Sequence, residues 1–443
     1  MTRSVVSVVG GGLAGSEAAW QLAESGYEVR LFEMRPEQRT PAHETGDLAE
    51  VVCTNSFKSE ALDTSHGILK AEMRGLGCML LTVADECRVP AGSALAVDRR
   101  RFSAEVTRRV LGHPRIRLFQ EEVRSIPEGP TIIATGPLTS DALSDSIRSL
   151  LGDDSLAFFD AIAPIVARDS IDEDVTYVAS RYDKGGADYV NCPLDRKAYE
   201  AFIDALLAAD IHQGHDWDQV PYFEGCLPIE VMAGRGRETL RHGPMRPVGL
   251  LDPRSGRQHY AVVQLRMEDR AGQMWNLVGC QTRMKVGEQL KVFRMIPGLE
   301  QAEFLRFGSI HRNSYLNFPA RLTPHGAVNG RGDLLFAGQL TGVEGYTESI
   351  ASGLMAALNL DRILRLEPPV IPPPTTMIGG LYRYLREADP TQFQPMNVNF
   401  GLLDPLPGNT KLRRKHRRAA LGARALEQMK GWCTEYAPRV RMT

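Results

Sequence analysis

The sequence predicts an α/β fold in which a Rossmann-like parallel sheet is interrupted by an inserted α/β domain and followed by a C-terminal helical segment. Residues 4–34 have the pattern strand, glycine-rich turn, amphipathic helix and second strand, which is how such a sheet begins. Residues 332–359 have strand, turn and helix again, near the other end of the chain. Strand-like patches and a helical run at 195–210 lie between them. A frame that is built from both ends of the chain implies an insertion.

Length and composition place the chain among large globular proteins. It has 443 residues, of which 43% are hydrophobic and 24% charged, so it can bury a core over two or three domains. Its net charge of −2 argues against a globally basic nucleic-acid-binding protein, and any contact with RNA must use a local patch. No apolar run approaches the roughly 20 residues that span a bilayer, and the N-terminus lacks the pattern of a signal peptide. We therefore expect a cytoplasmic protein with no membrane contact.

The cysteines show no pattern of a disulfide framework or a metal site. Their number is odd, no C-x-x-C occurs, and no Cys/His cluster has zinc-finger spacing. We expect reduced thiols and no bound metal. The seven are Cys53, Cys78, Cys87, Cys192, Cys226, Cys280 and Cys433.

The first turn carries a dinucleotide fingerprint, Gly10-x-Gly12-x-x-Gly15. The first glycine permits the tight turn, the second lets the backbone approach a pyrophosphate, and the third allows close helix packing. Glu33 ends the second strand 18 residues after Gly15, where a carboxylate accepts ribose hydroxyls. The predicted nucleotide-binding residues of this turn are Gly10, Gly11, Gly12, Leu13, Ala14 and Gly15.

Later segments favour FAD over NAD as the nucleotide. Residues 116–126 and the A-T-G turn in "TIIATGPLTS" (131–140) resemble the adenine side of flavoproteins with two dinucleotide-binding folds. "GDLLFAGQLTGVEGYTESIASGLMAALN" (332–359) resembles their closing strand, turn and helix, with a helix from about Thr347 that aims its positive end at the flavin. The predicted contacts here are Val123, Thr135, Gly136, Gly338, Gln339, Gly345 and Tyr346.

A dedicated second nucleotide fold is missing from the sequence. The nearest candidate, "AGRGRETL" (233–240), has Thr239 where the third glycine belongs. A nicotinamide reductant, NADH or NADPH, would therefore reach the flavin without a fold of its own.

Four segments of the chain carry a family resemblance: "VVCTNSFKSE", "GILKAEMRGLGCMLLTVAD", "FEGCLPIE" and "FAGQLTGVEGYTESIASGLMAALN". Together they resemble the folate- and FAD-dependent tRNA (uracil-5-)-methyltransferases over nearly the whole chain. The resemblance implies that methylenetetrahydrofolate supplies a carbon and reduced FAD the reducing equivalents, giving 5-methyluridine at uridine 54 in the T loop of tRNA. NAD(P)H would regenerate the reduced flavin.

That chemistry needs a reactive cysteine. C5 of uracil is a poor nucleophile, so an enzyme commonly adds a thiolate at C6 to make an enolate that attacks the one-carbon unit. A free thiol has a pKa of about 8.5 and needs help from a positive charge, a helix N-terminus or a base. The resemblance implies Cys226 as the nucleophile and Cys53 as a second catalytic thiol, and their roles could be exchanged. The other cysteines are interpreted as small buried side chains.

Several neighbours of these segments have two interpretations. Lys58 and Asn55 flank Cys53 and could assist the thiol or contact the flavin, but a lysine after a buried phenylalanine is as often a solvated residue. Rings of His311 and Tyr346 could stack on pterin or flavin, although His311 is at least as readily a structural histidine.

A dense basic run near the C-terminus, "KLRRKHRR" (411–418), is the predicted tRNA-binding patch. It follows the proline-rich stretch 366–376 and a helical-looking segment, and basic side chains at this density could track phosphates. The predicted RNA-binding residues are Lys411, Arg413, Arg414, Lys415, Arg417 and Arg418.

The predicted domains are a discontinuous FAD domain (1–155 with 325–365), an inserted substrate domain (156–324) and a C-terminal connector and helical segment (366–443). No obligate protein partner is evident. A flavin enzyme that modifies the tRNA wobble uridine is an alternative, as is a small-substrate flavoprotein oxidoreductase. An RNA-binding protein with purely structural FAD is a third.

Overall fold

The structure is a computed structural model that describes residues 5–40, 42–152, 156–212, 227–269, 271–391, 393–407 and 413–436. Side chains of 156–162, 309–314 and 414 lie outside that description.

The first part of the chain alternates strands and helices. In order it contains β1 (Val5–Val9), α1 (Leu13–Glu24), β2 (Glu28–Glu33), β3 (Ser56–Ser59), α2 (Ser65–Gly75), α3 (Met79–Glu86), β4 (Arg88–Val89), β5 (Ala94–Val97), α4 (Arg99–Gly112), β6 (Ile116–Gln120), β7 (Thr131–Ile133) and α5 (Asp141–Leu151).

The middle part is richer in strands. It contains β8 (Leu156–Ile162), β9 (Ile165–Ala167), β10 (Tyr177–Val178), β11 (Tyr189–Leu194), α6 (Arg196–Ala208), α7 (Ile229–Gly234), α8 (Thr239–His242), β12 (Ala261–Met267), β13 (Met274–Leu277), α9 (Val286–Phe293), β14 (Phe304–Arg306) and β15 (Ser309–Tyr315).

The last part returns to the first sheet and then becomes helical. It contains α10 (Phe318–Arg321), β16 (Ala327–Val328), β17 (Arg331–Phe336), α11 (Tyr346–Leu364), α12 (Met377–Glu387) and α13 (Arg414–Tyr436).

The first sheet has six strands in the order β16-β17-β7-β1-β2-β6. All its pairings are parallel except β16 with β17. Its central strand, Val5–Val9, is almost entirely apolar and buried beyond its first residue, as expected when helices cover both faces. Strand β17 arrives from the far end of the sequence and pairs with β7, so the predicted fold class is confirmed.

The second sheet is antiparallel, in the order β10-β11-β12-β13-β9-β14. Helix α6 lays an apolar stripe of Tyr199, Phe202, Ile203 and Leu206 into the hydrophobic core on one face of this sheet, with the spacing of an amphipathic helix. A two-stranded ladder of β8 and β15 carries the chain out of the first sheet and back. The insertion therefore has a hydrophobic core of its own.

The C-terminal helices are fastened to the first part of the chain through α2. Glu72 of α2 is buried and accepts hydrogen bonds from the first N–H groups of α12, Met377 at 2.7 Å and Ile378 at 2.9 Å. A carboxyl group there satisfies donors that a helix start leaves unpaired. Burial raises the pKa of Glu72 to about 8, against the lowering effect of the two N–H groups. Gly422 of α13 packs where an added Cβ would lie 3.1 Å from Ile68.

Candidate active site

The glycine-rich turn between β1 and α1 is tight on the inside and open on the outside. Gly10 has φ +102°, and a Cβ there would lie 2.5 Å from the carbonyl oxygen of Ala134. A Cβ on Gly15 would lie 1.8 Å from the carbonyl oxygen of Gly10. On Gly12, by contrast, a Cβ would meet no described atom within 4 Å. The turn is thus packed against β7 and leaves an open backbone face at Gly12, where a phosphate can approach.

A cleft opens at the carboxyl ends of the parallel strands, beside this turn. This edge is where open α/β sheets bind ligands. The cleft brings together predicted residues from four separate segments of the chain, along with the polar side chains of Glu121 and Ser140. The predicted residues in its wall are Gly10, Glu33, Val123 and Thr135.

Glu33 lies in the cleft wall but already has protein partners. Its carboxylate accepts the N–H of Gly11 at 3.0 Å and pairs with the guanidinium of Arg35 at 2.9 Å. Burial raises the pKa of the Glu33 carboxyl, but hydrogen bonds and charge from Arg35 outweigh that effect and lower the pKa below its usual range. The group is therefore an anion at neutral pH, and an ionised carboxylate only accepts hydrogen bonds, which suits ribose hydroxyls.

The closing strand and helix meet the glycine-rich turn directly. Gly338, at the end of β17, donates its N–H to Ser352 Oγ of α11 at 3.0 Å. A Cβ on Gly338 would lie 2.9 Å from the Cβ of Ala14, and one on Gly353 would lie 2.1 Å from the carbonyl oxygen of Ala14. Helices α1 and α11 thus touch backbone to backbone, which only small residues allow. Gln339 next to it donates to Glu344 at 2.6 Å.

Cys53 lies in a segment, residues 51–58, that we call the thiol loop. Its side chain is half-buried. The N–H groups of Cys53 and Thr54 both donate to the phenol oxygen of Tyr346, at 2.9 and 3.1 Å. Tyr346 is the first residue of α11, and burial raises the pKa of its phenol well above the usual value. The thiol loop is therefore bonded, through a neutral phenol, to the start of the helix that closes the predicted flavin frame.

Two guanidinium groups hold the carbonyl side of the same loop. Arg99 donates to the carbonyl oxygens of Val51 at 2.6 Å and Val52 at 2.9 Å, and Arg306 donates to that of Val52 at 3.0 Å. Arg99 also pairs with buried Glu268 at 2.9 Å. Burial and the neighbouring charge of Arg99 lower the pKa of Arg306, which nonetheless stays charged because guanidinium is so weak an acid.

The two residues that flank Cys53 in sequence have different roles in the structure. Asn55 is fully buried and bonds within the protein, to the carbonyl oxygens of Val97 at 2.9 Å and Met267 at 2.8 Å. Lys58 is exposed and adopts a left-handed backbone with φ +63°. Asn55 is thus a buried structural link between separate parts of the chain, and Lys58 matches its interpretation as a solvated residue.

A buried lysine supports the far side of the loop. Lys70 of α2 has no exposed surface, and its ammonium donates to the carbonyl oxygen of Phe57 at 2.7 Å. Burial lowers the pKa of Lys70 to about 7, although the charge of nearby Glu348 opposes the shift.

Some predicted residues lie outside the described part of the chain. They are Cys226 and Lys411, and the side chains of His311 and Arg414. The remaining cysteines, Cys78, Cys87, Cys192, Cys280 and Cys433, are buried, as expected for structural residues.

The described portion of the basic run forms the first turns of α13. Arg413, Lys415 and Arg417 are exposed. Arg418 instead places its guanidinium 5.2 Å from the ring centre of Phe400, a cation–π contact that fastens the helix to the preceding loop.

No motif in the sequence indicates the side chains that hold the thiol loop. Arg99 and Arg306 lie 46 or more residues from Cys53 along the chain, and neither belongs to a recognisable motif. Only an observation of spatial contact identifies them.

The described residues contain neither a metal-binding cluster nor a membrane-spanning helix. No cluster of three or more His, Cys, Asp or Glu side chains among them could hold a metal ion. None of the helices in the described ranges is long and apolar enough to cross a membrane.

Comparison with known proteins gives matches over nearly the full length. Residues 5–368 match the family described as "GIDA: Glucose inhibited division protein A". The chain is 54% identical over 431 residues to a methylenetetrahydrofolate–tRNA-(uracil-5-)-methyltransferase TrmFO of Desulforudis audaxviator, covering 97% of this chain and 98% of that one. It is 51% identical over 432 residues to a protein of the same name from Bacillus cereus, covering 98% and 99%.

Among solved structures, Aquifex aeolicus GidA in its form II crystal is similar in fold. The TM-score is 0.67 at 17% sequence identity, with 98% of this chain and 76% of that chain covered. At that identity the likeness concerns the fold alone.

Proposed function

The chain belongs to the Glucose inhibited division protein A family and, within it, to the methylenetetrahydrofolate–tRNA-(uracil-5-)-methyltransferases, and from that premise we propose its reaction. It transfers a one-carbon unit from methylenetetrahydrofolate to C5 of uridine 54 in the T loop of tRNA and reduces that unit to a methyl group. FADH2 is the reductant, and NADH or NADPH regenerates it. The reaction takes place in the cytoplasm.

The strongest support within this chain is a hydrogen bond from the backbone N–H of Cys53 to the phenol oxygen of Tyr346, at the start of α11. Helix α11 packs on α1, the helix of the glycine-rich turn. A half-buried thiol therefore sits at the edge of the frame that would hold a flavin, which suits a reaction that needs both a thiol and a reductant.

The residues present fit FAD. The open backbone at Gly12 suits a pyrophosphate, and the anionic Glu33 at the end of β2 suits a ribose. Gly136 has φ +68° and an added Cβ would meet no described atom within 4 Å, so its backbone is also open to a ligand. When bound, FAD supplies the reducing equivalents for the methyl group.

The two thiols divide the work at the uracil ring. The Cys226 thiolate adds to C6, forming a sulfur–carbon bond and pushing electrons to C5 as an enolate, which attacks the one-carbon unit. A base then removes the C5 proton and the bond between the one-carbon unit and the tetrahydrofolate nitrogen breaks, which leaves a methylene group on C5. Reducing equivalents, which FADH2 would supply, convert that methylene to a methyl group, and the C6–sulfur bond then breaks to restore the ring double bond and the thiolate. We assign Cys53 to assist this sequence, by accepting that proton or by guarding the site before RNA arrives. The hydrogen bonds of Tyr346, Arg99 and Arg306 with the thiol loop would fix the position of the Cys53 sulfur.

The start of α13 is proposed to bind tRNA phosphates. Positive side chains in the first turns of a helix repel its positive end, and a phosphate backbone would offset that repulsion. Arg413, Lys415 and Arg417 are exposed there, and no acidic residue occupies the first turn. Arg414 and Lys411 complete the proposed patch, while Arg418 contributes through its contact with Phe400.

The test is an assay of purified, flavin-bound protein with T-loop RNA, methylenetetrahydrofolate and NAD(P)H. We expect 5-methyluridine at position 54 and none on an anticodon stem-loop. Cys226→Ala should lose both product and any covalent RNA adduct while it keeps its flavin. An adduct that persists in Cys226→Ala but disappears in Cys53→Ala would exchange the two roles. Absence of product from a yellow, folded protein would contradict the proposal.

A further inference from the structure

The end of β12, in the inserted domain, reaches across to the thiol loop. Arg266 donates from Nε to Asn55 Oδ1 at 2.9 Å, and its Nη2 donates to Thr54 Oγ1. The next residue, Met267, accepts the side-chain N–H of Asn55 at 2.8 Å. The two residues after Cys53 are thus bonded to two consecutive residues of a different domain.

The following residue holds the other side of the loop. Glu268 is buried and accepts both Nε and Nη2 of Arg99, at 3.2 and 2.9 Å. Arg99 in turn donates to the carbonyl oxygens just before Cys53. Residues 266–268 therefore grip the thiol loop directly on one side and through Arg99 on the other.

These bonds cannot be exchanged for water without cost. Asn55 has no exposed surface, and its amide uses both a donor and an acceptor position in these contacts. Removing Arg266 leaves the Asn55 oxygen without its partner in a buried place, which favours rearrangement of the loop. The planar fork of arginine serves Asn55 and Thr54 together, which a lysine ammonium does less well.

A second contact between the same two domains avoids the loop. Tyr189 of β11 is paired with Arg266 across the sheet, yet its hydroxyl donates to the carbonyl oxygen of Ala91 at 3.1 Å. Loss of that hydroxyl removes one hydrogen bond between the two domains at the position paired with Arg266, and it leaves residues 51–58 unaltered. Tyr189→Phe is therefore a matched control for Arg266→Ala.

We propose that Arg266 is a positioning residue that sets the placement of Cys53 from the inserted domain. Arg266 does not contact the sulfur; it acts through Thr54 and Asn55. The meaning of this for catalysis rests on the proposed function, whereas the effect on the thiol does not.

The first test measures the thiol without any reaction. In a Cys226→Ser background the other described cysteines are buried, so alkylation of Cys53 by iodoacetamide, followed by peptide mass spectrometry, reports access to the loop. Arg266→Ala should raise the alkylation rate at least about fivefold, because local opening of the loop becomes easier. Arg266→Lys should fall between, and Tyr189→Phe should match the parent. An unchanged or slower rate in both Arg266 variants, with flavin bound, would overturn the proposal.

The second test measures methylation with Cys226 intact. Arg266→Ala should lower kcat by about 10- to 100-fold, since small displacements of a reacting group are costly, with KM for RNA and flavin content near those of the parent. Arg266→Lys should recover part of kcat even if Arg266→Ala fails to fold. A change in KM with kcat unaltered, or an equal loss of kcat in Tyr189→Phe, would show that Arg266 has a merely structural role and would overturn the proposal. If the parent makes no 5-methyluridine, the proposed function fails while the alkylation test still stands.

Discussion

The glycine-rich turn and the thiol loop pack into the same hydrophobic core but are built in different ways. The turn is shaped mainly by residues close in sequence, since Gly15 packs on Gly10 and Glu33 bonds to Gly11, and Gly10 also packs on Ala134 just after β7. The thiol loop is held by side chains from α4, β12, β14 and α11, which the fold brings together from distances of up to 293 residues. The first is rigid by local geometry. The thiol loop depends on contacts from distant parts of the chain, so a substitution outside the loop can change its placement.

The largest effect is expected for a substitution in the glycine-rich turn. In Gly15→Ala the new Cβ would lie 1.8 Å from a backbone oxygen, which no side-chain movement can relieve. We expect a loss of at least about 3 kcal/mol in the free energy of unfolding and loss of bound FAD, measured by urea unfolding and flavin absorbance. In Gly12→Ala the Cβ meets no described atom, so stability should stay near wild type while FAD binds more weakly. A Gly15→Ala protein of normal stability would contradict the described turn.

The next largest effect is expected for a residue that holds the thiol loop. Arg99→Ala removes the hydrogen-bonding partner of buried Glu268 and of the Val51 carbonyl, while the Val52 carbonyl keeps Arg306, and loss of one member of a buried pair costs about 3–5 kcal/mol. Urea unfolding should show a loss of about 3 kcal/mol, together with a large fall in methylation. Arg108→Ala is the control on the same helix, because its side chain is 69% exposed and such surface pairs contribute about 0–1 kcal/mol. Equal losses of unfolding free energy in the two variants would contradict the role of Arg99 in holding the thiol loop.

A pH profile sharpens the role of Lys70 beneath the loop. Its pKa falls from an ordinary 10.5 to about 7 in the folded protein, so the unfolded chain binds more protons between those values. Stability must then rise with pH in that window, by at most about 1.4 kcal/mol per pH unit from this group. We expect Lys70→Met to reduce the rise measured by urea unfolding between pH 7.5 and 9.5. The same slope in both proteins would mean that the buried ammonium is not the titrating group.

The smallest effect concerns the basic start of α13. Arg417→Ala removes one proposed phosphate contact, so tRNA affinity should fall a few-fold and the slope of log affinity against log salt should decrease by about 0.7 to 0.9. Lys430→Ala, on the same helix and exposed, should leave both unchanged. Equal effects in the two variants would point to a general loss of charge, and no effect in either would move the RNA contact elsewhere.

The same contrast explains what could be predicted from the sequence. The parallel sheet, the glycine-rich turn and the return of the chain through β17 follow from local patterns, and those predictions of fold are confirmed. Family resemblance drew attention to Cys53, but nothing near it in sequence indicated Arg99, Arg266 or Arg306. Asn55 was open to interpretation as a flavin contact because its burial depends on β12, a strand more than 200 residues away. Long-range contacts leave no period or motif in one sequence.

The most direct test follows the carbon atom. Flavin-bound protein is supplied with T-loop RNA, NAD(P)H and methylenetetrahydrofolate labelled with ¹³C at the methylene carbon, and the nucleosides are analysed by mass spectrometry. The account predicts that the label appears in the methyl group of 5-methyluridine at position 54 and that it is lost in Cys226→Ala and Cys53→Ala. Unlabelled product, or no product from protein that holds its flavin, would contradict it.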